Sequence, residues 1–138
     1  MSVQIDARGP RFSAAITTVV LAVALVTSNI WVAAFQAVVF AIGAIRGPQF
    51  TPYGFIFKNL IKPRLSQPGP TEDVRPPKFA QAVGLGFALV GTIAAFAGFE
   101  ILFTIAVGAA LGAAFLNAAF NYCLGCEMYL LLVRITSK

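Results

Sequence analysis

The only two cysteines of the chain, Cys123 and Cys126, stand as C-x-x-C inside the stretch Asn117 to Tyr129. Two thiols one helical turn apart can close a disulfide or share a metal, and a thiol at a helix terminus ionises more readily than a free one. Around them lie Asn117, Asn121 and Glu127, in a region with few other polar groups. On a continuous helix Cys123 and Glu127 share a face at i, i+4, with Cys126 beside them, and Asn117 and Asn121 face one way by the same spacing. The chemistry this supports is thiol exchange. Cys123 is the attacking thiolate, Cys126 the resolving thiol, Glu127 a proton acceptor, and the two asparagines a polar lining for a small substrate. A bland reading uses the same residues: cysteines packed as small hydrophobes, asparagines hydrogen-bonded between helices, and Glu127 paired with a basic tail. Zinc would need two further ligands from another subunit, so neither metal nor cofactor is expected.

Other chemistry is poorly supplied. The 138 residues include no histidine, the commonest general base and metal ligand. Of the five acids, Asp6, Glu72, Asp73, Glu100 and Glu127, only Glu72 and Asp73 are neighbours, and they sit in a proline-rich loop. That speaks against hydrolysis by paired carboxylates. With 59% hydrophobic and 11% charged residues, most of the surface must face something other than water, so the bilayer is the first partner. The net charge of +5 sits on residues beside apolar runs, which fits anionic lipid rather than nucleic acid.

The elements that must hold the thiols follow from charge and turn signals. No charge occurs from Phe12 to Ile45, a run too long for one crossing of about 20 residues and barely enough for two. Thr27–Ser28–Asn29 is its best turn. Spans are therefore placed at 12–27 and 30–45, then at 79–98 and 101–121, the second pair separated at Gly98–Phe99–Glu100. A cleaved signal peptide is the alternative for the first segment, but a second span follows at once without a cleavage site. Between the pairs, 46–78 forms a polar loop. In it Thr51–Pro52 caps an amphipathic helix over 52–62, with Tyr53, Ile56, Phe57, Leu60 and Ile61 at helical spacing. That helix either lies in the membrane interface or covers the span ends. Gln67 to Pro77 reads as extended linker. Glu127 to Lys138 either continues the fourth span or forms a second interfacial helix, the reading favoured by a weak repeat: Pro10–Arg11–Phe12–Ser13–Ala14–Ala15–Ile16 is echoed by Pro77–Lys78–Phe79–Ala80–Gln81–Ala82–Val83. Gly108 and Gly112 make a G-x-x-x-G helix contact, within the chain or between copies.

The fold class expected is all-α: a single-domain, integral membrane four-helix bundle of two helical hairpins with short interfacial helices. With both termini inside, all ten Lys and Arg fall on one side and only Glu100 faces the other. This positive-inside pattern places the chain in the cytoplasmic membrane, with the cysteines at the cytoplasmic face.

Three motifs in order, Asp6–Ala7–Arg8–Gly9–Pro10–Arg11–Phe12, the loop Arg46–Gly47–Pro48 to Tyr53, and Phe120 to Tyr129 with its C-L-G-C-E-M-Y, resemble the DUF4395 family over nearly the whole chain. The resemblance implies a small multi-span membrane protein of the actinobacterial type, with thioredoxin-like or rhodanese-type sulfurtransferase proteins as its neighbours. By layout alone the chain is also similar to DoxX-type four-helix membrane proteins. Two functions from different classes are therefore expected. One is a redox or sulfur-relay component exchanging electrons or sulfane sulfur with a soluble cytosolic partner. The other is a non-catalytic scaffold that docks another membrane protein or a second copy. A conduit for a small sulfur-containing anion is a third.

Overall fold

The computed structural model describes residues 4–6, 8–64, 71–120 and 122–136. Asn121 and the linker residues Gln67 to Pro70 lie outside them. The described chain is helical, as expected, apart from one small antiparallel ladder. Its strands, β1 (Gln4–Asp6) and β2 (Thr71–Asp73), pair Gln4 with Asp73, Ile5 with Glu72 and Asp6 with Thr71.

Two long hairpins follow from the same local chemistry. Helix α1 (Arg8–Thr27) ends where Ser28 takes a left-handed backbone, φ 51°, so that the Asn29 amide donates to the Ala24 carbonyl at 3.1 Å. Helix α2 (Ile30–Ile45) then begins on Asn29, whose side-chain oxygen accepts from the amides of Trp31 (2.9 Å) and Val32 (3.3 Å). The second hairpin, α4 (Arg75–Phe96) and α5 (Glu100–Phe120), turns in the same way. Gly98 has φ 89° and the Phe99 amide donates to the Ala94 carbonyl at 2.8 Å. Both turns are Schellman-type caps, one on glycine and one on serine.

A shorter segment follows each hairpin. After α2 comes α3 (Pro52–Ile56), capped by Thr51, whose hydroxyl accepts from the Gly54 amide at 3.0 Å. The segment expected as one helix over 52–62 instead changes winding, widening to a π-type turn over Phe57–Ile61 and tightening to a 3-10 turn over Lys62–Arg64. After α5 the chain breaks, and α6 (Leu124–Thr136) is a separate helix that packs chiefly against α4. The two halves repeat in their contacts too. Phe12 of α1 packs on Phe57 at 5.8 Å between ring centres, and Phe79 of α4 packs on Tyr129 of α6 at 5.6 Å.

The hairpins interlock more than they fold on themselves. Helix α1 lies mainly against α5 and α2 mainly against α4, while α1 and α2 touch each other less. The buried stripe of α1 is Ser13, Ala14, Thr17, Leu21 and Ala24, a 3–4 residue spacing that puts small side chains on one face. Half of the buried apolar side chains among the described residues are alanine, and large ones such as Val26 (85% exposed), Trp31 (72%) and Ile101 (78%) point outward. Small residues inside and bulky apolar residues outside suit helices packed in lipid, where close backbone approach rather than expulsion of oil drives association. Three helices, α1, α4 and α5, are long and apolar enough to cross a bilayer. The chain is a membrane protein.

Candidate functional site

The thiol pair sits in the break between α5 and α6. The α5 end is closed by the Tyr122 amide, which donates to the Leu116 carbonyl at 3.2 Å, and by Arg11, whose Nε donates to the Ala118 carbonyl at 3.1 Å. This places a cation from the start of α1 on the negative end of α5. Cys123 then stands immediately before α6, in the N-cap position. Its Sγ accepts from the Cys126 amide at 3.1 Å, and its carbonyl accepts from the Glu127 amide at 3.0 Å. The two cysteines form a disulfide, with Cα atoms 5.1 Å apart. Both are half-buried, whereas Glu127 is exposed.

The docking of α6 has a specific cause. A Cβ on Gly125 would lie 2.6 Å from both Cα and Cβ of Ala80, so only glycine lets the first turn of α6 rest on the α4 backbone. No residue of α6 is buried, and the space between its first turns and α1, α4 and α5 is a cavity of about 550 Å³. Cys123, Cys126, Glu127 and Asn117 all line it, so the structure brings four of the five expected site residues to one wall. The fifth, Asn121, is the one outside the described residues. Where a continuous helix would put Cys123 and Glu127 on one face, the break gives Cys123 a capping role instead.

Three polar lining residues were not expected at the site from the sequence: Arg11, Thr17 and Gln81. Arg11 reads in sequence as one more inside-facing cation. Its signal was its place in the repeat, at the foot of a hairpin, beside the residues that end the other hairpin. The deeper lining is apolar, with Phe40, Phe87, Ala110 and Ala113.

Under the first hairpin the corresponding region is filled. Tyr53 of α3 is 5% exposed, and its hydroxyl donates to Gln36 Oε1 at 2.7 Å. Gln36 is fully buried, and its Nε2 lies 3.5 Å from the Thr17 hydroxyl, a long contact. Burial pushes the Tyr53 phenol up to about 12. No group of three or more acidic or cysteine side chains poised for a metal occurs among the described residues.

No curated protein matches the chain, and no solved structure matches it either, so nothing found supports the expected likeness to DoxX-type proteins. The profile described as "Domain of unknown function (DUF4395)" matches residues 5–134, nearly the full length, and the chain belongs to that family.

Proposed function

We propose that the protein is a thiol–disulfide exchange component of the cytoplasmic membrane, working through Cys123 and Cys126 on a soluble cytosolic partner of the thioredoxin-like or rhodanese type. The observation that carries this reading is the half-buried disulfide at the first turn of α6, set in the wall of a cavity with polar groups at its rim. An ordinary cytosolic pair is held reduced by glutathione, so a pair that cycles there needs a partner that turns it over. Cys123 is the sulfur attacked or attacking, since the Cys126 amide is aimed at its Sγ. Cys126 resolves the mixed disulfide, and Glu127 takes the proton. Four crossings with both termini and the 46–78 loop inside put the pair within reach of the cytosol.

Cys126→Ser should trap a mixed disulfide between Cys123 and the soluble partner, and Cys123→Ser should trap far less. If neither variant captures a partner and the double variant keeps the full phenotype of the native gene, the exchange reading is wrong.

A scaffold role is the second reading, and one observation favours it. Gly108 and Gly112 would meet nothing within 4 Å if each carried a Cβ, so this stripe of α5 is open to close approach by another helix, from a second copy or a different membrane protein.

A further inference from the structure

We propose that the cavity beneath α6 binds a membrane quinone and that the Cys123–Cys126 pair passes its electrons to it; the inference rests on the exchange reading above and supplies that reading with its second substrate. The chain has two cysteines and no other redox-active side-chain pair, so electrons that arrive at this disulfide must leave from it. Both cysteines are half-buried, so part of the pair remains accessible to a soluble partner. The pair also forms part of the wall of a 550 Å³ cavity, within the usual size range of sites for small organic ligands.

The shape and chemistry of that cavity select the acceptor. Its α5 wall runs from Asn117 to Ala109, about 12 Å at the ordinary helical rise, into a helix long enough to cross a bilayer. The polar groups Arg11, Gln81 and Asn117 supply hydrogen-bond donors suited to carbonyl oxygens, and the deeper lining of alanine and phenylalanine suits a flat ring with an apolar tail. A phospholipid would fit the floor with its acyl chain and the donors with its headgroup, but it carries no group that can accept electrons from the thiols. A soluble anion would suit Arg11 but not the floor. A quinone matches both ends and is delivered by the membrane itself.

The step balances without another reactant. In the reduced pair the two S–H bonds break and the S–S bond forms, which releases two electrons and two protons. The quinone takes both, and its two carbonyl oxygens become the hydroxyls of the hydroquinone. Oxidation leaves the pair as the Cys123–Cys126 disulfide. A soluble dithiol then reduces the pair again by exchange, so electrons run from cytosolic thiols into the quinone pool.

The test uses full-length protein in nanodiscs, reduced and freed of reductant. The probe is a benzoquinone with every ring carbon substituted, so that thiols cannot add to it, and with a decyl tail. Hydroquinone formation is followed by ultraviolet absorbance and thiol loss by alkylation. The expected result is one hydroquinone per disulfide formed. Ala113→Trp, which fills the cavity away from the sulfurs, should slow quinone reduction at least tenfold while leaving oxidation by a water-soluble disulfide unchanged. Ala113→Leu, a smaller filler, should give an intermediate rate and guards against misfolding of the Trp variant. If the quinone is not reduced while the pair still exchanges with soluble disulfides, the quinone site is refuted and the exchange reading survives. Equal quinone rates in native and Ala113 variants also refute the site. If the pair exchanges with neither oxidant, both proposals fall.

Discussion

Tyr53→Phe removes one atom from a buried polar contact between α3 and α2. The Tyr53 hydroxyl donates to Gln36 Oε1 at 2.7 Å, and Gln36 is wholly inside. Without the hydroxyl that oxygen is left with no partner in a place water does not reach, a loss of about 1–3 kcal/mol. The other contact of Gln36, 3.5 Å to Thr17, is made by its Nε2 as donor and leaves Oε1 unsatisfied. Burial also ties the contact to pH. The folded phenol titrates at about 12 against an ordinary 10, so it holds its proton more tightly in the folded state. Its stabilisation is then fully present below pH 10 and is lost as pH rises towards 12. A shift of this size corresponds to about 3 kcal/mol, enough to cancel the native advantage over the Phe variant. The assay is reversible unfolding in mixed detergent micelles, monitored by the fluorescence of Trp31, with native and variant profiles subtracted so that lysine titration drops out. The difference should be about 1–3 kcal/mol at pH 8 and near zero or reversed above pH 12. A variant as stable as the native protein at pH 8, or a difference that ignores pH, would refute the argument.

Three further outcomes are expected. Ser28→Gly should stabilise the protein by about 0.5–1 kcal/mol in the same unfolding assay, since serine carries a Cβ in a left-handed turn that its counterpart Gly98 forms without one. Gly125→Ala should destabilise by about 1–3 kcal/mol and change the rate at which dithiothreitol reduces the disulfide, because α6 must lift from the α4 backbone at Ala80. Gly108→Ala, with open space around it, should do neither. For the proposed topology, a cysteine placed at Asn29 in a background lacking Cys123 and Cys126 should label with impermeant reagent from outside, and one at Asn59 should not; the reverse pattern would overturn it.

Much of the hairpin layout was legible because the signals are local. Ser28–Asn29 and Gly98 stand out as breaks in apolar runs, and Thr51–Pro52 announces a helix start two residues before any packing matters. The all-α class follows from run length. The site was half legible. A C-x-x-C draws attention to itself, and Asn117 and Glu127 are conspicuous among apolar neighbours, but the cavity joining them depends on which helices meet. Periodicity gives the face a helix turns inward and not the partner it turns towards. Hence the Gly125–Ala80 contact and the Tyr53–Gln36 hydrogen bond, made by residues 45 and 17 positions apart, have no signature in a single sequence, and Arg11 had only its place in the repeat. Gln36 alone gave a hint, as the one amide inside α2.

The small β1–β2 ladder has a consequence of parity. Backbone strands can pair only in one compartment, so the chain between Asp6 and Thr71 must pass through the bilayer an even number of times. In the four-span topology proposed above α2 is the return, although its 16 residues extend only about 24 Å against a hydrocarbon thickness of about 30 Å. Arg46, directly after α2, cannot sink to close that gap without leaving the headgroups. The membrane must therefore yield at this hairpin, at a cost of a fraction of a kcal/mol per Å of mismatch. A clasp of three paired residues thus ties the short α2 to the same crossing parity as α1.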